Sequence, residues 1–488
     1  MVQVWIGREV GMSHEIRADY GKQFLFPPSL EDLVPADHPA RFIREFVDSL
    51  DLEGLGFRVR EAPDGRPNYA ADLLLKVWLY GYFEGIRSTR RLEKACLQQL
   101  GFLWLTGTHY PDHNTLWRFY RDNRAVLKGL FTQVVRVAVK GDLVDMVLNA
   151  VDGTRVMADA SKSRALHKER LEKVLKKLDE CVDEVCEQIE SSEEQEKGRE
   201  VRLPAKLSNR GNLREFVEDA LKELKENETS HLSLTDKDAR MMKCREGIEF
   251  AYNAQVVVDN KEGIIVAADV VQAESDNFEL VDMLEQVEEN VGRVGEETVA
   301  DGGYFSGEEL KRADDNSYEV LVNIGDMKDL KVDESKEGSE FHRMKFEYDE
   351  ERDVCICPMG GVLKFIGEKK RKGGKYKVRV YRCTEYEDCP DRWRCSSNKH
   401  GRTIGISPYH NNIKKQLEKQ KDPEKQELLE KRKTIVEPTF GGIKHCWGFR
   451  RWAVRGLLNV QAQWYLICTT VNLRKMYKKW VEGCIQTA

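Results

Sequence analysis

The chain has 488 residues, of which 41% are hydrophobic and 33% charged, and its formal net charge is −6 at pH 7. That length suggests about three domains with enough apolar side chain for real cores. No apolar run approaches the roughly 18 residues that span a bilayer, and residues 1–17 lack a signal-peptide core. The expectation is a soluble cytoplasmic protein with no membrane partner. The net charge alone does not announce a nucleic-acid binder, but its distribution is uneven. Residues 179–200 hold ten acids against two bases, and residues 399–455 hold fourteen bases against six acids. A second basic cluster comprises Lys369, Lys370, Arg371, Lys372, Lys375, Lys377 and Arg379. Segregated charge of this kind can offer a basic face to phosphates, although such runs also serve simply as solvated surface.

In chain order, residues 1–20 read as a loose tail. Ser29 is placed to cap Leu30, with Asp32 three residues on in the manner of a capping box. Phe42, Ile43, Phe46, Val47 and Leu50 recur at helical spacing. A turn at Asp64–Pro67 precedes an apolar helix over 69–84 and an amphipathic one over 89–100. After a break at Pro111–Asn114, the stretch 115–121 mixes aromatic residues with Arg118 and Arg121. That pattern suits either a helix-turn-helix-like DNA reader or a plain helical bundle.

At residue 147 the texture changes to strand, running to 157 with Asp152 inside it. A highly charged helical stretch follows over 162–226. Strands are expected at 250–258 and 263–271 around a turn at 259–262, then a helix over 277–291 and strands at 298–301 and 318–324. A basic, Cys-rich interruption comes next, and from 423 onward the pattern is helical, with a buried helix over 457–476. This order predicts an α/β fold, a mixed sheet flanked by helices behind an all-helical N-terminal part.

Two aspartates stand out. Asp152 and Asp301 each end or interrupt an apolar strand and are each followed by glycine. A carboxylate among buried strand residues needs a cation, a hydrogen-bond set or a metal, whereas Asp-Gly also makes ordinary turns. Glu437 follows the apolar triplet Thr434–Val436 and precedes a base-rich tail. Three such carboxylates could hold a pair of hard divalent ions about 3.5 to 4 Å apart, as phosphodiester chemistry often uses.

The chain resembles the bacterial insertion-sequence DDE transposases of the IS1182 type, within the broader IS4 and IS5 grouping. The blocks Phe24–Pro35, His38–Ile43, Leu75–Tyr82, Gly85–Glu93 and Pro111–Leu116 look like that family's N-terminal domain. Val151–Thr154 and Ala158–Ser161 look like its first catalytic strand, and Asp238–Lys243 with Ala251–Asp259 like the following hairpin. Ala300–Ser306 and Val436–Lys444 look like its second and third catalytic blocks.

The resemblance implies an RNase H-like core with Asp152, Asp301 and Glu437 as catalytic, metal-binding triad. It implies Mg²⁺ or Mn²⁺, two ions per site, double-stranded DNA (terminal inverted repeats and target) as partner, and a homo-oligomer on DNA. Relatives carry Tyr, Arg and Lys at fixed offsets from the glutamate. Lys444 fits the Lys place; Lys433, beside Arg432, stands at the Arg place, and Glu430 at the Tyr place. DNA contacts are therefore expected at Lys444, Arg432, Lys433, Arg450, Arg451, Arg118 and Arg121. The implied division is a tail (1–20), a helical DNA-binding domain (21–140), and a first part of the core (141–330) with a helical insertion at about 162–235. A basic Cys-rich insertion (331–410) and the C-terminal helical part of the core (411–488) complete it. A nuclease with the same core, or a catalytically inactive DNA-binding relative, are the alternatives.

Cys355, Cys357, Cys383, Cys389 and Cys395 cluster in that insertion. Thiolates suit Zn²⁺, yet five exceed its four ligands and the spacing is not that of paired C-x2-C knuckles, so zinc and reduced thiols both remain open. Cys181 and Cys186 lie on a charged helix with no partner motif. Residues 367–375 lack the glycine and hydroxyl offsets of a phosphate-binding loop. His400, His410 and His445 are expected at the surface or on DNA.

Overall fold

The computed structural model describes residues 29–58, 68–162, 165–180, 210–226, 229–324, 330, 338–370 and 376–483. The expected tail, the turn at Asp64–Pro67, Cys181, Cys186, Arg371, Lys372 and Lys375 lie outside the described residues.

The chain opens with helices. Ser29 and Asp32 form the reciprocal capping box, with Asp32 in the place usual for Glu or Gln. Helix α1 (Pro39–Asp48) starts on a proline, with the His38 ring accepting from the Ala40 N–H. Helices α2 (Ala71–Phe83), α3 (Thr89–Gln98), α4 (Leu100–Thr106), α5 (His113–Asn123) and α6 (Leu127–Lys140) follow. From Leu74 to Phe83, α2 is buried on every side, as its nearly continuous apolar sequence requires.

The mixed sheet begins with β1 (Leu148–Met157). Small strands β2 (Ala165–His167) and β3 (His231–Ser233) pair with each other beside helices α7 (Lys168–Glu180) and α8 (Arg210–Glu226), which share a small core around Leu171, Val217 and Leu224. Strand β4 (Arg240–Cys244) leads to β5 (Gly247–Asp259) and β6 (Ile265–Val271). Helix α9 (Leu280–Val291), β7 (Glu297–Ala300), helix α10 (Gly307–Asp315) and β8 (Val320–Val322) complete this half.

Strand order is β4-β5-β1-β7-β8, with β6 also on β5. β5 runs antiparallel to β1, whereas β7 is parallel to β1 and β8 parallel to β7. From Phe250 to Asp259, β5 is buried on both faces, with the apolar residues on both sides and Asn253, Gln255 and Asp259 as its buried polar groups.

A second sheet lies between β8 and the C-terminal helices. It comprises β9 (Glu347–Asp349), β10 (Val354–Ile356), β11 (Val362–Lys370), β12 (Lys377–Cys383) and β13 (Thr403–Ile406), all antiparallel, with the short helix α11 (Arg392–Cys395) between the last two. Its own small core is Phe346, Cys355, Leu363, Tyr381, Ile404 and Ile406.

Helices α12 (His410–Lys419), α13 (Pro423–Gly441) and α14 (Leu457–Val481) close the chain, with a π-helical turn at Gly442–Cys446 directly after α13. α14 joins the two halves. The Gln463 amide donates to the Tyr82 hydroxyl of α2 at 3.0 Å, and the Trp464 indole donates to the Gln255 carbonyl of β5 at 3.0 Å.

Candidate active site

Adjacent parallel strands set the geometry. Val151 of β1 lies opposite Ala300 of β7, so the next residues, Asp152 within β1 and Asp301 just past the end of β7, stand at the same level on neighbouring strands. β1 does not turn at Asp152-Gly153; it runs on to Met157. Asp301 does cap a turn: its Oδ1 accepts from the Gly303 N–H at 2.8 Å over Gly302–Tyr304. The two aspartates thus differ locally, although each is followed by glycine.

Asp152 Oδ1 accepts from the Gly153 N–H at 2.9 Å, and Oδ2 pairs with Arg432 of α13 at 3.0 Å. Burial pushes the Asp152 carboxyl up to about 6; the Arg432 guanidinium opposes that rise and the Asp301 charge adds to it. The like-charge effect and the desolvation act together against two bare carboxylates.

A third aspartate, unmarked in the sequence reading, stands behind this pair. Asp276 is buried and lies between β6 and α9. Its Oδ1 accepts from Asn253 at 2.6 Å and from Gln255 at 2.7 Å, and its Oδ2 accepts from Arg155 at 2.9 Å. Gln255 in turn accepts from the buried Tyr304 hydroxyl. This network explains both glycines. A Cβ on Gly153 would come within 2.8 Å of Asp276 Oδ1 and would also strike the Gln255 amide. A Cβ on Gly303 would lie 2.9 Å from Asp301 Oδ1 and 3.2 Å from Asp276 Oδ2. No strand-then-glycine pattern flags Asp276, because it sits in a loop and its partners come from two distant strands.

Glu437 lies on α13, whose residues contact β1, β7 and β8. Its neighbour Val436 is fully buried, while the Glu437 side chain is exposed, and Arg432 is the α13 residue that meets Asp152. Among the described residues, no group of three or more His, Cys, Asp or Glu side chains is gathered so as to hold a metal ion.

Lys444, on the π-helical turn, donates to the Thr154 hydroxyl two residues beyond Asp152, and burial lowers its ammonium pKa. Lys433, Arg450 and Arg451 are exposed, with Arg451 donating to the Ala158 carbonyl at 2.8 Å. Arg118 and Arg121 are exposed on α5, where Arg121 pairs with Asp122 at 2.7 Å.

The five clustered cysteines are free thiols. Cys355 faces the core of the second sheet, and burial pushes its thiol up to about 12. Cys357 Sγ accepts from the Gly361 N–H at 3.1 Å, and Cys383, Cys389 and Cys395 are half-buried. His400 and His445 are exposed as expected, but His410 is not. It is 6% exposed with its Nε2 toward the Phe346 carbonyl, at the start of a helix that packs on α10 and β8.

A profile described as a transposase DDE domain matches residues 356–477, and one described as a transposase domain of the DUF772 kind matches residues 28–122. Together the two transposase matches indicate an insertion-sequence DDE transposase of the IS1182 type. No curated protein matches it. A transposase DDE domain implies an RNase H-like fold, and this transposase has the helical N-terminal region and mixed sheet to go with it. The transposase family implies a DNA substrate and generally uses divalent metal ions. Among the described residues of the transposase, no helix is long and apolar enough to cross a membrane.

Proposed function

We propose that this transposase binds the terminal inverted repeats of its element, cleaves there, and joins the freed 3′-OH to target DNA, with Asp152, Asp301 and Glu437 as its metal-binding triad. The carrying observation is that Asp152 and Asp301 stand at one level, one within β1 and the other just past the end of the neighbouring parallel β7. Two hard oxygen donors at one level, one of them pushed toward the protonated form by burial and by the other's charge, suit a hard divalent cation. Glu437 supplies the third carboxylate from the helix packed across the same strands. Two divalent cations, when bound, supply Lewis-acid polarisation of the attacking and leaving oxygens of an in-line displacement.

The chain's own groups do the remaining work. Arg432 balances Asp152 in the free protein and turns to phosphate when DNA arrives. Lys444, with Arg450 and Arg451, neutralises phosphates beside the cut, and Lys433, Arg118 and Arg121 hold duplex farther out. The helical region over 21–140 carries the repeat-binding role, and a homo-oligomer brings two ends together. Such contacts make binding fall steeply with salt.

The test is Asp152→Asn on inverted-repeat DNA with Mg²⁺. Nicking and strand transfer are expected to vanish while DNA binding stays within about twofold, since only one carboxylate oxygen is exchanged. A purified Asp152→Asn protein that still nicks this DNA would sink the triad.

A further inference from the structure

Between the loops that follow β6 and β7 and the second sheet lies a groove of about 1380 Å³. One wall is built from the segments that follow Asp276 and Asp301. Asn277 and Phe278 directly follow Asp276; Phe305 to Glu308 directly follow the Asp301 turn. The facing wall is the second sheet, through Lys369, Lys370, Tyr376 and Arg402. The groove therefore borders the segments that directly follow Asp276 and the Asp301 turn.

Its chemistry has two components. Arg343, Lys369, Lys370 and Arg402 bring four cations to the lining, against the single carboxylate of Glu308. Lys369 and Lys370 are exposed at the end of β11 and have no ion-pair partner among the described residues. Arg402 spends its two terminal nitrogens on the Cys395 and Phe341 carbonyls, so its charge is not cancelled by an acid. The second component is aromatic. Phe278, Phe305, Tyr376 and Tyr409 all line the groove. Tyr376 and Tyr409 meet edge to face at 5.4 Å, and the Tyr409 side chain lies so close over Gly307 that a Cβ there would come within 2.7 Å of the Tyr409 Cβ and 2.9 Å of its ring.

We infer that this groove binds single-stranded DNA, the strand that continues past the cut, with bases against the rings and phosphates against Lys369 and Lys370. Cations alone would serve a duplex equally well. The rings decide between them, because a duplex hides its base faces and an unpaired strand presents them for stacking. The inference rests on the reading of Asp152 and Asp301 as the cutting site only for the direction of the strand. Binding itself requires neither cleavage nor metal.

The test uses the full chain in EDTA with a short fluorescein-labelled oligothymidylate, and a blunt duplex of equal length, both followed by anisotropy across a salt series. Tyr376→Ala is expected to weaken oligothymidylate binding about tenfold, the loss of one stacked base, with the duplex changed less than about twofold. Tyr376→Phe, which keeps the ring, is expected to restore wild-type affinity. The double variant Lys369→Ala, Lys370→Ala is expected to reduce the salt slope for the oligothymidylate by about 1.4, two phosphate contacts at about 0.7 each. Equal losses on strand and duplex, a Tyr376→Phe protein as weak as Tyr376→Ala, or an unchanged salt slope would each overturn the inference. Should Tyr376→Ala fail to fold, the lysine variant and Tyr376→Phe still decide it. Nicking by Asp152→Asn would remove the triad and leave this binding result standing, so the two failures are distinguishable.

Discussion

At Asp152 two physical effects oppose each other within one side chain. Burial and the Asp301 charge favour the protonated acid, and Arg432 favours the carboxylate; burial is the largest, so the net shift is upward, to about 6. A folded pKa above the unfolded value means the folded state holds the proton longer. The resulting contribution is favourable at low pH and is lost as pH rises from the ordinary carboxylate range through about 6. In metal-free protein, Asp152→Asn is therefore expected to raise stability by about 1 to 3 kcal/mol near pH 8 and by nothing near pH 3. Urea unfolding in EDTA at the two pH values measures this, and an asparagine variant less stable at pH 8 would contradict it. A gain in stability with a loss of nicking in the same protein is the signature of a carboxylate kept for chemistry.

Elements explain why some of the site was readable and some was not. Asp152 and Asp301 were legible because a strand ran into a carboxylate followed by glycine, and the parallel β1–β7 pair turns that repeated pattern into proximity. Glu437 gave no such signal: it is exposed on a helix, and only resemblance singled it out. The second sheet escaped the sequence reading because β11 and β12 carry Lys364, Lys369, Lys370, Lys377, Arg379 and Arg382 on largely exposed surface, and those charges blur the strand alternation. Asp276 was hidden for a different reason. It ties Arg155 of β1 to Asn253 and Gln255 of β5 from a loop, a relation made only by folding. Asp276→Asn sets an amide against three donors that now face an anion. It is expected to cost roughly 2 to 4 kcal/mol and to lower nicking with it, because an unsatisfied buried donor set and a broken buried pair both count against the fold. Urea unfolding beside a nicking assay checks the prediction, and a variant as stable as wild type would show that the network is dispensable.

Across the whole molecule, one apolar core runs from Val34 in the helical region through the mixed sheet to Met476 near the C-terminus. α14 is the element that makes it continuous. Tyr120 of α5 donates to the Asn459 carbonyl at 2.6 Å, Gln463 reaches Tyr82 of α2, and the Asn472 amide both donates to and accepts from the Ile265 backbone of β6. Trp464 sits at the middle of this helix, fully buried, edge-on to Trp452 at 6.1 Å and bonded to the Gln255 carbonyl beside the Asp276 network. A helical region bound this way cannot unfold without exposing the back of the mixed sheet. The two are therefore expected to melt in one transition, with the second sheet's separate core free to melt apart from them. Trp464→Ala removes a large ring from the shared core and is expected to lower stability by about 3 to 5 kcal/mol in both regions at once. Hydrogen exchange followed separately in α2 and β5 provides the measurement. Loss of protection in β5 with α2 unchanged would mean that the helical region stands alone, and that α14 rests against it without coupling it to the sheet that carries Asp152 and Asp301.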